Sequence, residues 1–98
     1  MKTDEIRMIF ISLGKFRKKM TKELAAASDK YVSAAEKSGG KVLGWYYTLG
    51  RYDSVLIYEV PDKVGVEGAM KGAMAFSDYV AGETLVAIKR EDAVKLLD

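Results

Sequence analysis

The chain of 98 residues contains no cysteine and no histidine. Without cysteine there is no disulfide, no thiolate nucleophile and no Cys-based metal site. Without histidine, the commonest general base near neutral pH and the usual metal ligand are both missing. Ser12, Ser54 and Ser77 therefore have no imidazole to activate them as nucleophiles. Asparagine and glutamine are absent as well, proline occurs once, and Lys, Arg, Asp and Glu make up 31% of the residues. Charges in place of thermolabile amides point to a thermophilic source, although the five methionines pull the other way. No run approaches the roughly 18 apolar residues of a membrane span. The opening MKTDEIRM also lacks the basic, apolar and small-residue order of a secretory signal, so a cytoplasmic protein without membrane contact is expected. A net charge of +2 is too weak to attract nucleic acid. The length suits a single domain, residues 1–98, near the lower end of domain size.

What is present is a two-period pattern. Ile6 to Leu13 alternates as a strand, with Ile6, Met8 and Phe10 on one side and Ile9, Ile11 and Leu13 on the other. From about Phe16 the apolar residues recur at helical spacing, through Met20, Leu24, Ala27, Tyr31 and Ala34, until Gly39-Gly40 ends the helix. Val42 to Leu49 reads as a second strand carrying Trp45, Tyr46 and Tyr47. A tight reversal at Gly50-Arg51 leads into a third strand, Tyr52 to Val60. Pro61-Asp62 punctuates, and a second helix runs to about Ser77 or Asp78. Gly82 then opens a last strand, Glu83 to Lys89, before a short terminal helix, Glu91 to Leu97. The order predicts an α+β fold, a ferredoxin-like βαββαβ unit whose four-stranded antiparallel sheet carries both helices on one face.

Strands with two apolar faces need two partners, and two helices cover only one side of a sheet. The uncovered side would expose more apolar surface than monomers usually tolerate. Pairing that face with its twin in a second copy is the simplest remedy, giving a homodimer or higher even oligomer with a dimeric α/β barrel between the two sheets.

The stretch GGKVLGWYYTLGRYDSVLIYEVPD, with GETLVAIKRED some twenty residues on, resembles the GYD domain family, named for its Gly-x-Tyr-Asp hairpin, here Gly50-Arg51-Tyr52-Asp53. The resemblance covers roughly residues 38–92. It implies a ferredoxin-like dimeric α/β-barrel protein and no particular reaction. The hairpin and final strand are also similar to the effector-binding domain of leucine-responsive regulatory proteins, where small ligands lie at subunit interfaces near that turn, and to small dimeric α/β-barrel monooxygenases and decarboxylases. The chain has neither a DNA-binding helix-turn-helix nor the histidine of the haem-handling members.

Five groups of residues are candidates. In the hairpin, Arg51 could meet a carboxylate or phosphate and Asp53 an amine. The competing reading is a turn in which Gly50 supplies the backbone angle, Tyr52 packs and Asp53 accepts from loop amides. The rings Trp45, Tyr46, Tyr47, Tyr52 and Tyr58 could wall a pocket within the barrel. Alternation lets only Trp45 with Tyr47, or Tyr46 with Thr48, face it. Lys15, Arg17, Lys18, Lys19 and Lys22 form a basic run that reads as a solvated face or as an anion site at a helix start following Gly14. Gly65, Gly68 and Gly72 lie on one side of the second helix, where close packing must offset their cost. Lys89 with Arg90 is either an anion contact or the polar end of a strand. No carboxylates among Asp53, Glu59, Asp62 and Glu83 have the spacing of a two-acid or metal site, so neither metal nor cofactor is expected and no catalytic residue is identified. The resulting reading is a homodimeric domain that binds a small molecule or assembles with itself, through Trp45, Tyr46, Arg51, Tyr52, Asp53 and Tyr58. The alternative is a cofactor-free monooxygenase or isomerase.

Overall fold

The computed structural model describes residues 7–37 and 39–97. The elements run β1 (Arg7–Phe16), α1 (Lys22–Lys37), β2 (Lys41–Tyr47), β3 (Ser54–Pro61), α2 (Gly65–Ala75), β4 (Val80–Ala87) and α3 (Arg90–Val94). The four strands make one sheet in the order β2-β3-β1-β4, with every neighbouring pair antiparallel. This is the ferredoxin-like α+β arrangement.

The largest departure from the sequence reading lies between residues 14 and 21. The expected start at Ile6 falls outside the described residues, but β1 continues past Leu13 to Phe16. Gly14 pairs with Ser54 on one side and Gly82 on the other. The Phe16 N–H donates to the Asp53 carboxylate at 2.9 Å, and the Arg17 N–H to the Tyr79 carbonyl at 2.7 Å. Those bonds hold Phe16 extended, so neither it nor Met20 is helical. The first helix starts at Lys22, where the Thr21 hydroxyl accepts the Leu24 N–H at 3.1 Å. Lys15, Arg17, Lys18 and Lys19 consequently sit exposed on a strand end and a loop, and Gly14 precedes no helix, which favours the solvated face over a helix-start anion site. The second strand stops at Tyr47, so the reversal is an open loop over residues 48–53 rather than a tight turn. Gly39 and Gly50 take φ of 105° and 123°, as helix end and loop apex require.

Strand pairing sorts the side chains into two faces. Phe10, Ser12 and Gly14 share one face with Tyr58, Leu56 and Ser54 of β3 and with Val86, Thr84 and Gly82 of β4. Both helices lie over this side, because residues of α1 and α2 line one cavity together with it. Ile9, Ile11 and Leu13 share the opposite face with Glu59, Ile57 and Val55 and with Ala87, Leu85 and Glu83. A β-bulge between Val42 and Gly44 lets Val42 and Trp45, three positions apart, both point to the helix side.

The core is thin. Among the described residues the buried apolar side chains are Phe10, Val60 and Pro61. Phe10 stacks on Tyr58 at 5.6 Å, and Tyr31 of α1 meets Phe76 at the end of α2 edge-on at 5.4 Å. Gly72 lies beside Tyr31, where an added Cβ would make an ordinary contact at 3.4 Å from the hydroxyl. The radius of gyration is 14.7 Å, against about 13 Å for a compact chain of this length, in keeping with an elongated shape of 45 × 31 × 19 Å.

Candidate functional site

Between the helices and the covered face lies a cavity of about 890 Å³. Its walls are aromatic and aliphatic: Trp45, Tyr47 and Phe16 near the loop end, with Leu24, Val32 and Phe76 from the helical side. Phe16 and Tyr47 brace each other edge-to-face at 5.7 Å. Gly14, Gly82 and Ser54 form a floor nearly free of side chains. A Cβ on Gly14 would come within 2.5 Å of Ser54 Oγ, and one on Gly82 would overlap the Leu13 carbonyl oxygen. The close approach of β1 and β4 thus dictates glycine and leaves space above it.

Hydroxyls add polarity along the sheet wall. Ser12 Oγ lies 3.4 Å from Thr84 Oγ1 of the exposed strand β4. Burial pushes the Tyr58 phenol above its ordinary value of 10, an effect that Ser12 partly opposes and the nearby Tyr31 reinforces. Tyr58 therefore stays protonated through the neutral range and acts as a hydrogen-bonding group, not as a base. Ser28 is less available, because its hydroxyl bonds the Leu24 carbonyl at 3.0 Å.

Of the six site residues expected from sequence, Trp45 and Tyr58 line this cavity. Tyr46 points the other way, pairs with Val55 and is 59% exposed on the uncovered face. Tyr52 hydrogen-bonds the Glu83 carboxylate across to β4, which raises its phenol pKa. Asp53 is a latch. Its carboxylate takes the Phe16 N–H, its own N–H donates to the Gly14 carbonyl at 2.7 Å, and its carbonyl accepts the Thr48 N–H at 2.8 Å. Arg51 is exposed and has no hydrogen-bond or ion-pair partner among the described residues. The six are thus divided among the cavity, the open face and the loop. Ser12, Thr84, Gly14 and Gly82 were missed, although a serine and a glycine interrupting the Met8-Phe10 face were visible as a break in an apolar alternation.

The uncovered face has a different composition. Ile9, Ile11, Leu13, Val55, Ile57 and Tyr46 form its middle. Its two ends are polar, with the Arg7–Glu59 ion pair at 3.1 Å on one side and the Tyr52–Glu83 contact on the other. The carboxylates of Asp53, Glu59 and Glu83 are all engaged in these bonds. Among the described residues no group of carboxylates converges as a metal site, and no helix is long and apolar enough to cross a membrane.

The GYD domain family model matches residues 10–97, nearly the whole chain. The chain belongs to the GYD domain family. No curated protein and no solved structure matches it. The matched range includes the loop Gly50-Arg51-Tyr52-Asp53, whose Asp53 in this GYD domain fastens β1 to the β2–β3 connection.

Proposed function

We propose that this GYD domain is a homodimer, capable of higher even assembly, that binds one small molecule in each subunit between sheet and helices and catalyses no reaction. The observation that carries the reading is the cavity. Its 890 Å³ lies within the range of small-molecule sites, and its aromatic walls with a few convergent hydroxyls have the composition of such sites. The uncovered face supports the dimer, since an apolar middle with polar ends is the anatomy of an interface, and a two-fold axis lets one self-complementary patch serve both subunits. Catalysis is disfavoured because the acids named above are committed to structural bonds and Tyr58 holds its proton. A cofactor-free monooxygenase or isomerase would need an enclosed proton acceptor, whereas the carboxylates that line the cavity, Glu36, Glu67 and Glu83, are exposed.

Native mass spectrometry of freshly purified protein tests both halves. The expected spectrum is a dimer, or an even multiple of it, carrying extra mass equivalent to one small molecule per subunit. A clean monomer would refute the dimer, and an unliganded dimer that takes up no apolar aromatic compound would refute the binding role.

A further inference from the structure

The two edges of the sheet are not alike. β2, on one side, starts at Lys41 and is broken by the bulge at Leu43, and both devices discourage an edge from pairing with another strand. β4, on the other side, has neither. It pairs with β1 without interruption from Val80 to Ala87 and contains no proline, lysine or arginine. The N–H and C=O groups of its alternate residues point outward, where no strand of the sheet receives them. Its side chains are apolar along the same stretch. Val86 is 65% exposed, Ile88 57% and Leu85 42%, and the segment that follows adds the exposed Val94, Leu96 and Leu97. Free backbone groups beside apolar side chains make such an edge a template for another strand.

The order of residues in β4 specifies which strand fits. An antiparallel copy of β4 set about a two-fold axis at Val86 places Val86 against itself, Leu85 against Ala87, Thr84 against Ile88 and Glu83 against Lys89. Every pair joins residues of one face, so the sheet continues across the joint with all helices on one side. The apolar pairs lie at the centre, and a pair of opposite charges closes each end. Lys89 has the extended backbone that such pairing needs, with φ −59° and ψ 140°. Glu83 is steadied by the Tyr52 hydroxyl, which leaves its second carboxylate oxygen for the lysine.

We infer that β4 is a second self-association surface, through which face-to-face dimers join edge to edge, with Val86 on the two-fold axis and Glu83 paired to Lys89 of the partner subunit. The inference rests on the dimer proposed above and locates its higher even assembly in a separate contact. Residues 83–89 make a smaller joint than the roughly 20–30 residues a side of a standard interface, so dimers associate at higher concentration than that at which they form.

Sedimentation equilibrium of the full chain, over a series rising to the limit of solubility, reads both contacts. The wild type is expected to pass from two chains to four or a higher even number. Val86→Lys, a change at an exposed position that sets two like charges together at the axis, should keep the dimer and its melting temperature while abolishing further growth. Lys89→Glu should raise the dissociation constant between dimers about tenfold, since symmetry counts the lost pair twice, and Glu83→Lys added to it should restore association. A wild type that stays dimeric throughout, or a charge-reversed double variant that does not recover, overturns the inference while the face-to-face dimer stands. A monomeric Val86→Lys beside a dimeric Tyr46→Asp would uphold the edge joint and refute the face-to-face dimer. A wild type that is monomeric throughout overturns both.

Discussion

Each central strand of the sheet builds two faces that differ in kind. The uncovered face carries Ile9, Ile11, Leu13, Val55 and Ile57, aliphatic side chains of similar size that can mesh with a copy of themselves. The covered face carries Phe10, Ser12, Gly14, Tyr58 and Ser54, a mixture of rings, hydroxyls and gaps that its own helices do not fill. A surface meant for one flat partner can be uniform. A surface enclosing a small molecule needs space and a few directed polar groups. Alternation along β1 delivers both from one decapeptide, because successive residues point to opposite sides.

Gly82→Ala is the most severe way to break the covered face. The added methyl would occupy the position of the Leu13 carbonyl oxygen, and a backbone atom in a paired strand cannot step aside as a flexible side chain can. The expected loss is about 3 kcal/mol or more in urea unfolding, with the β1–β4 ladder opened at the cavity floor. Normal stability in this variant would mean that the two strands are not so closely apposed and that the floor is not fixed by glycine.

The neighbours Trp45 and Tyr46 allow the two faces to be tested one at a time. Tyr46→Asp places a charge in the middle of the uncovered face and should dissociate the dimer. A centrally buried interface ring is worth about 2–4 kcal/mol, roughly a 30- to 700-fold rise in dissociation constant by sedimentation equilibrium. Trp45→Asp should leave the dimer intact, lower the melting temperature and abolish uptake of aromatic probes, because Trp45 stands against Val32 and Val42 on the helix side. The reverse outcome, with Trp45→Asp monomeric and Tyr46→Asp dimeric, would exchange the roles of the two faces.

Much of this architecture was legible in the sequence. The strand and helix periods, the helix-ending glycines and the order of elements led directly to the ferredoxin-like fold. Residues 14–21 misled because Phe16, Met20 and Leu24 are spaced by four and fit a helix as well as a strand end. What decides for the strand is a carboxylate at Asp53 and a carbonyl at Tyr79, both remote in sequence. The site was harder to see for the same reason. Ser12 and Thr84 are separated by 72 positions, and only the register of β1 against β4 makes them neighbours. The bulge at Leu43, which sends Val42 and Trp45 to one side, is likewise fixed by pairing with β3 rather than by any local composition. The hairpin drew attention through its charged residues, but its carboxylate serves the backbone.

That last assignment separates Asp53 from Arg51, adjacent in the loop and easily mistaken for one binding pair. Asp53→Ala would leave the half-buried Phe16 N–H without its acceptor and free the end of β1, at a cost of about 1–3 kcal/mol. For a domain of this size that is a fall of roughly 5 °C or more in melting temperature. The Lys15 contact at 4.0 Å adds little, since the lysine is largely exposed. Asp53→Asn should recover part of the loss, because an amide oxygen can still accept the Phe16 N–H. Arg51→Ala should change stability by no more than about 0.5 kcal/mol, as expected of an exposed side chain with no hydrogen-bond or ion-pair partner among the described residues. It should also leave aromatic-probe binding unchanged, because Arg51 does not line the cavity. Equal losses of stability from both alanine variants would show that the loop acts as a single packed unit. Loss of probe binding in Arg51→Ala alone would move the ligand from the covered face to the loop.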